Sequence, residues 1–79
     1  MKIKIYSTSW CGPCNSAKNL LNELSLPFQT IDIEEKGISR DDLFKLTGGR
    51  TVPQIVIDEK PIGGFDNLVQ YYNEGNLKV

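Results

Sequence analysis

Two cysteines stand two residues apart at Cys11 and Cys14, and they are the only cysteines among the 79 residues of the chain. The pair follows a short run of residues typical of a strand and precedes a run typical of a helix. A Cys-x-x-Cys pair at such a junction is typical of a thiol–disulfide redox centre. The pair therefore constrains the fold as well as the chemistry, because it requires a strand and a helix that meet at Cys11.

The helix that follows the cysteines indicates which of them is the nucleophile. Disulfides are attacked by a thiolate, and the first turn of a helix stabilises a thiolate through unpaired N–H groups and the positive end of the dipole. Cys11 is therefore the predicted nucleophile, and Cys14, one turn later, is the predicted resolving thiol. Pro13 fits the first helical turn because it lacks an N–H that would have no partner there.

Neither a zinc site nor a structural disulfide fits the cysteine pair well. A tetrahedral zinc site needs four Cys or His ligands, whereas this chain has two Cys and no His, which leaves only a site shared between chains. A structural disulfide across two residues closes so small a loop that it constrains the unfolded chain little. A redox role thus explains the cysteine pair better than zinc binding or a structural disulfide does.

The length and net charge of the chain indicate its domain organisation and limit the kinds of partner it is expected to bind. A chain of 79 residues is predicted to form a single domain over residues 1–79, and we expect a monomer. Nine basic and ten acidic residues give a formal net charge of −1, so neither nucleic acid nor a membrane is an expected partner. The first six residues alternate charged and apolar side chains, unlike a signal peptide, and a lone Cys-x-x-Cys suits a reducing compartment. We therefore expect a cytoplasmic location.

Four strands are predicted from alternation and from apolar runs. The first spans residues 2–6 with Ile3 and Ile5 inward, and the second spans residues 28–33. The third spans residues 54–57 as a nearly continuous apolar run, and residues 58–61 form the turn into a short edge strand around Ile62. The first two strands flank a helix, which predicts a parallel pair with a right-handed crossover.

Three helices are predicted between and after these strands. The first carries one apolar stripe, formed by Ala17, Leu20, Leu21 and Leu24. Ser39 and Asp42 resemble a capping box, so the second helix is predicted over residues 40–46, with Leu43 and Leu46 buried. The third is predicted to be capped by Asp66 and to end at Gly75, with the apolar stripe Phe65, Leu68, Val69 and Tyr72.

Beyond the cysteines, three segments resemble those of small dithiol glutaredoxins in order and spacing, and the resemblance covers essentially all 79 residues. The segments are LTGGRTVP at 46–53, QIVI at 54–57 and IGGFD at 62–66. The resemblance implies an α/β thioredoxin fold, with a four-stranded mixed sheet flanked by three helices in the order β-α-β-α-β-β-α. It also implies a thiol–disulfide oxidoreductase that uses glutathione as reductant and holds no permanently bound cofactor. Such a protein reduces protein disulfides and glutathione mixed disulfides, in electron transfer and redox homeostasis.

The resemblance also implies where glutathione binds. Residues 51–53 match the loop that contacts the tripeptide, with a cis bond before Pro53 and antiparallel pairing to the backbone of Val52. Residues 64–66 match a helix N-terminus that holds the γ-glutamyl carboxylate. Asp66 faces the γ-glutamyl ammonium or serves only as a cap, and Lys45 reaches the glycine carboxylate or is only an exposed lysine. The predicted substrate-binding residues are Trp10, Pro13, Lys45, Thr51, Val52, Pro53, Gly64, Phe65 and Asp66.

The cysteine motif itself departs from that family. Residues 10–14 read WCGPC, which resembles thioredoxin and not the Pro-Tyr pair common in dithiol glutaredoxins. Thr8 replaces a frequent lysine, and Ile5 stands where thioredoxin has a buried aspartate. One alternative is therefore a thioredoxin-like protein reduced by thioredoxin reductase. Others are an iron–sulfur cluster carrier, against which Pro13 and Cys14 count, and an interaction module that has kept the fold.

The expected partners follow from the same resemblance. They are glutathione and disulfide-containing proteins, with ribonucleotide reductase as a usual client of the family and thioredoxin reductase as an alternative electron source. Trp10 is predicted either to contact partner proteins, as large exposed aromatic residues often do, or to cover the disulfide.

Overall fold

The computed structural model describes residues 2–77, which form a four-stranded sheet and three helices in the predicted order. The strands are β1 (Ile3–Ser7), β2 (Gln29–Asp32), β3 (Gln54–Ile57) and β4 (Lys60–Gly63), and the helices are α1 (Gly12–Glu23), α2 (Arg40–Thr47) and α3 (Phe65–Asn73). Within this part of the chain, no helix combines the length and the apolar character needed to cross a membrane.

The sheet has the strand order β2-β1-β3-β4, so β1 and β3 are central and β2 and β4 are the edges. β1 is parallel to β2 and antiparallel to β3, and β3 is antiparallel to β4. The predicted mixed sheet is therefore confirmed. Because β1 is central, its carboxyl end at Ser7 delivers the chain to the cysteines from the middle of the molecule.

The main core lies where β1 and β3 meet α1 and α3. Ile3 and Ile5 of β1 are buried as the alternation predicts, and Ala17 and Leu21 of α1 are fully buried. The buried members of this cluster are Ile3, Ile5, Ala17, Leu21, Ile55, Ile57, Leu68 and Leu77. Burying one Ile or Leu side chain stabilises the fold by about 1.5–3 kcal/mol, so this cluster fixes the helices against the sheet.

Helix α2 packs against β3 and β4 and is held by its cap. Ser39 accepts a hydrogen bond from the Asp42 N–H at 3.0 Å, and the Asp42 carboxylate accepts one from the Ser39 N–H at 3.5 Å, which confirms the capping box. Leu43 is fully buried as predicted, whereas the prediction for Leu46 is wrong, because Leu46 is 52% exposed. Thr47 is buried in its place, and its hydroxyl donates to the Leu43 carbonyl at 2.8 Å.

The hairpin between β3 and β4 is tighter than the sequence indicates. Asp58 and Glu59 form the turn with φ angles of 50° and 69°, which is the backbone that two-residue hairpins require for the twist of their strands. β4 therefore begins at Lys60 and includes Pro61, which the sequence places in the turn. Pro61 lies on an edge strand, as predicted, where its missing N–H disrupts no interior ladder.

Helix α3 differs from the prediction in its N-cap residue and in which of its two tyrosines packs against the core. The N-cap residue is Gly64, so the prediction of Asp66 as the cap is wrong, and Asp66 lies in the first turn. Tyr72 is 39% exposed, and Tyr71 packs against the core instead. After Gly75, which has a φ of 80°, the chain turns back and buries Leu77.

Candidate active site

Cys11 is the N-cap residue of α1, a position usually taken by Ser, Thr, Asp or Asn. Its backbone is extended, with φ −91° and ψ 112°, and its Sγ accepts a hydrogen bond from the Cys14 N–H at 3.1 Å. The sulfur therefore lies where the free N–H groups of the first helical turn point. Pro13 follows in that turn, where it removes a donor that would otherwise have no partner.

Cys11 and Cys14 are joined by a disulfide, with their Cα atoms 5.2 Å apart. Cys14 is completely buried, whereas Cys11 keeps 4% of its surface exposed. Gly12 and Pro13 between them are exposed, and a Cβ added to Gly12 would meet no atom within 4 Å from the rest of residues 2–77 beyond its neighbours in the chain and its own helix backbone. Of the two cysteines, only Cys11 therefore retains any exposed surface.

Trp10 stands beside this disulfide with 65% of its surface exposed. It lines a cleft of about 420 Å³ together with Arg40, Arg50, Thr51 and Val52. The cleft thus brings three of the predicted substrate-binding residues next to two arginines that the prediction does not include. The Arg40 guanidinium donates from Nη1 to the Arg50 carbonyl at 3.0 Å, which ties the start of α2 to the loop before Thr51.

The loop of residues 51–53 has the cis Val52–Pro53 peptide bond that the family resemblance implies. Gln54 holds the loop from the sheet side, because its Nε2 donates to the Thr51 carbonyl at 2.9 Å. Pro53 is buried and Gly64 lies against it, since a Cβ added to Gly64 would be 3.5 Å from the Pro53 carbonyl oxygen. The structure therefore brings the two segments predicted to bind glutathione together.

The N-terminus of α3 lies open toward that loop. Gly64 has no side chain to cap the helix, and no side chain in the described part of the chain forms a capping hydrogen bond with its first turn. Unpaired N–H groups at such a position attract a carboxylate. Asp66 is exposed in the first turn, whereas Phe65 is half-buried and packs against the core. Among residues 64–66, the Phe65 side chain thus has a packing role. The backbone N–H groups of the first turn and the Asp66 side chain remain available to a ligand.

Lys45 is a predicted binding residue that lies neither in the cleft nor in the adjoining segments around Pro53 and Gly64. It is exposed in the last turn of α2, five positions after Arg40. An advance of five residues rotates a side chain by about 140° around a helix, so Lys45 and Arg40 project from different sides of α2. The signal for Arg40 and Arg50 was present in the sequence, because one begins the predicted second helix and the other precedes Thr51 directly.

Thr8, which follows β1, occupies the position of the frequent family lysine with only 3% of its surface exposed. Its hydroxyl oxygen is buried and has no hydrogen-bond partner among residues 2–77. The positive charge near the cysteines therefore comes from α2 and the following loop and not from this position.

Comparison with known proteins supports the resemblance seen in the sequence. The family model described as Glutaredoxin matches residues 3–62. Glutaredoxin 3 of Escherichia coli K12 is 37% identical over 75 residues, covering 95% of this chain and 90% of that protein. A glutaredoxin of Pseudomonas aeruginosa is 40% identical over 75 residues, covering 95% of this chain and 89% of that protein.

Solved structures agree with the sequence relatives. The buckwheat glutaredoxin–glutathione complex superimposes with a TM-score of 0.85 at 33% identity, covering 95% of this chain and 71% of that one. Reduced Escherichia coli glutaredoxin gives a TM-score of 0.82 at 34% identity, covering 94% of this chain and 95% of that one. With the Cys11–Cys14 pair at the start of α1, these matches show that the chain belongs to the glutaredoxin family and is a thiol–disulfide oxidoreductase.

Proposed function

We propose that this chain reduces protein disulfides and glutathione mixed disulfides through the Cys11–Cys14 dithiol, with glutathione as the reductant. The observation that carries the proposal is the position of Cys11, whose sulfur accepts a helix N–H and which is the less deeply buried of the two cysteines. The hydrogen bond stabilises a thiolate, and the residual exposure favours Cys11 over the fully buried Cys14 as the attacking residue.

The reaction proceeds by two exchanges of sulfur bonds. The Cys11 thiolate attacks one sulfur of the substrate disulfide, forms a mixed disulfide and releases the other substrate sulfur as a thiolate, which takes up a proton. The Cys14 thiol loses its proton and attacks Cys11 Sγ, so the internal disulfide forms and the second substrate thiol leaves. Two glutathione molecules then restore the dithiol and leave as glutathione disulfide. With a glutathione mixed disulfide as substrate, a second glutathione can resolve the intermediate in place of Cys14.

The cleft and the N-terminus of α3 together offer complementary groups for the two carboxylates of glutathione. In this proposal the glycine carboxylate pairs with the Arg40 guanidinium, and the backbone of Val52 pairs with the peptide between. The γ-glutamyl carboxylate lies on the open N-terminus of α3 after Gly64, with Asp66 near the ammonium group. The buckwheat glutaredoxin solved with glutathione has the same fold, which supports this placement.

The remaining parts of the proposal concern the setting of the reaction. The chain acts as a single domain over residues 1–79, as a monomer, and needs no resident cofactor for thiol exchange. A reducing compartment such as the cytoplasm would keep the dithiol reduced between turnovers.

Serine substitutions test the two cysteine roles. We expect Cys11→Ser to abolish exchange, and Cys14→Ser to retain part of the glutathione-dependent reduction of a glutathionylated peptide. Serine is itself a preferred N-cap residue, so Cys11→Ser keeps the start of α1 and removes only the nucleophile. Turnover coupled to glutathione reductase measures the effect. An equal loss in both variants would contradict the assignment.

A second function is favoured by Gly12 and Pro13, which place a thioredoxin-like motif beside the exposed Trp10. In that case a flavin-dependent thioredoxin reductase supplies the electrons, and turnover with that enzyme in the absence of glutathione would demonstrate this function.

The cluster-carrier alternative is tested by anaerobic purification. A visible iron–sulfur absorbance would support it, whereas colourless protein that turns over disulfides would remove it.

A further inference from the structure

We propose that Arg50 docks an acidic side chain of the protein substrate, close in sequence to the substrate's disulfide cysteine. The proposal rests on the proposed disulfide reduction at Cys11 and names a feature of the proteins that are reduced. It starts from the cleft, where Arg50 lies with Thr51 and Val52 beside the exposed Trp10.

Arg50 is held in place without being covered. Its guanidinium carbon lies 4.2 Å from the centroid of the Phe44 ring, and its carbonyl accepts the hydrogen bond from Arg40. The Arg50 side chain is nevertheless 59% exposed. A planar cation that is stacked on an aromatic ring loses less freedom when it binds a carboxylate, so this arrangement favours recognition.

The charges around Arg50 leave it able to bind an anion. Its Nε lies 3.5 Å from Asp41 Oδ1, but the Asp41 side chain is 81% exposed, and exposed pairs of this kind are weak and screened by salt. The two terminal nitrogens have no hydrogen-bond partner among the residues that the structure describes. Asp42 is engaged in the α2 cap, and Arg40 adds a second positive charge to the cleft. The cleft therefore carries more positive than negative charge, although the chain as a whole is slightly acidic.

Neither carboxylate of glutathione is assigned to Arg50 in the proposed binding mode. Glutathione has two carboxylates, and the proposed function directs them to Arg40 and to the N-terminus of α3. A protein segment that lies along Val52 with its cysteine at Cys11 extends past the tripeptide. A Glu or Asp within a few residues of that cysteine can then form two parallel hydrogen bonds with the two terminal nitrogens of Arg50, in the cleft that Trp10 also lines.

Matched peptide substrates test this preference. Each peptide carries one disulfide, with Glu or Gln at one of the positions up to four residues from the cysteine, and kcat/KM is measured for both. For the best position, we expect wild-type protein to prefer Glu over Gln by about 1.5- to 5-fold at low ionic strength, the range measured for exposed ion pairs. The preference should fade in about 0.5 M salt, where the Debye length falls to about 4 Å from about 30 Å at 0.01 M.

Two substitutions should change the Glu/Gln ratio in opposite directions. Arg50→Gln should bring it to about one, and Asp41→Asn should raise it, because the competing carboxylate is removed. Lys60→Gln is the matched control, since Lys60 is an exposed cation that pairs with Ile57 at the other end of the sheet, and it should leave the ratio unchanged. Opposite shifts in two variants are not produced by misfolding.

The outcomes separate the possibilities. A wild-type ratio of one at every position, or a ratio that Arg50→Gln leaves unchanged, overturns the proposal. Slower turnover of glutathione substrates in Arg50→Gln without any change in the ratio also overturns it, because Arg50 then serves glutathione. Failure of the proposed function looks different, because wild-type protein would then reduce neither member of any peptide pair.

Discussion

Thr8 carries a buried hydroxyl group, and we predict that removing this group stabilises the protein. The residue links β1 to the Cys11 cap, only 3% of its surface is exposed, and its hydroxyl has no partner among residues 2–77. A hydroxyl loses its hydrogen bonds to water when it is buried, and here no protein group replaces them. We therefore expect Thr8→Val to stabilise the oxidised protein.

The magnitude follows from that unpaired group. A buried polar group without a partner costs about 1–3 kcal/mol, and Val replaces the hydroxyl of Thr8 with a methyl group of similar size. Both side chains are branched at Cβ, so their rotamer preferences are alike and little side-chain entropy changes. Since a methyl group is slightly larger than a hydroxyl and must fit a closed site, we take the lower end, about 1 kcal/mol. In a domain of this size that raises Tm by about 4–8 °C.

Thermal and urea denaturation of the oxidised protein measure the change. Thr30→Val on the exposed edge strand β2 is the control, because the same atoms change there without burial, and its effect should stay within about 0.5 kcal/mol. A clear loss of stability in Thr8→Val with a neutral Thr30→Val would refute the reasoning. It would show that the Thr8 hydroxyl is hydrogen-bonded in solution.

Two further predictions concern α2 and the disulfide. Leu43→Ala should cost about 2–5 kcal/mol in urea denaturation because Leu43 is fully buried, whereas Leu46→Ala should cost less than about 0.5 kcal/mol, and similar costs would contradict this packing of α2. Equilibration with glutathione buffers should give a potential between about −230 mV, as in glutaredoxins, and about −270 mV, as in thioredoxin, because Gly12 and Pro13 separate the reacting sulfurs. A value at or above about −230 mV, together with no turnover by thioredoxin reductase, would show that the scaffold and not the WCGPC motif sets the potential.

The sequence predicts the elements well wherever a local signal decides. Alternation in β1 identifies Ile3 and Ile5 as core because a strand presents successive side chains to opposite faces. The capping box at Ser39 and Asp42 is equally local, since the two residues bond each other, and it places the start of α2 correctly. The bulk of the fold follows from signals of this kind.

Helix faces are predicted less well because α2 and α3 are short. A helix of eight or nine residues has little more than two turns, so two stripes that differ by one residue contain almost the same number of apolar side chains. Packing against the rest of the fold decides between them, and it buries Thr47 instead of Leu46 and packs Tyr71 instead of Tyr72 against the core. The sequence contains no local signal for that choice.

The site shows the same division between local and distant signals. Cys11 and Cys14 are recognised from four consecutive positions, because a helix start and its first turn are contiguous in sequence. Arg40 and Arg50 are ten residues apart and meet Trp10 only after α2 has packed and the loop before Thr51 has closed. Lys45 is not part of this cleft, because it projects from a different side of α2 than Arg40.

The sources of electrostatic stabilisation are therefore separate in this protein. The sulfur of Cys11 is stabilised at short range by a helix N–H 3.1 Å away, and the neutral Thr8 adds no charge beside it. The positive charge of Arg40 and Arg50 lies across the cleft, where it acts on the carboxylates of a ligand before the sulfurs meet. A hydrogen bond at contact distance is little affected by salt, whereas exposed guanidinium groups are screened within a Debye length of about 8–10 Å. Reactivity of the nucleophile and capture of the substrate can thus change independently in this chain, because different residues set them.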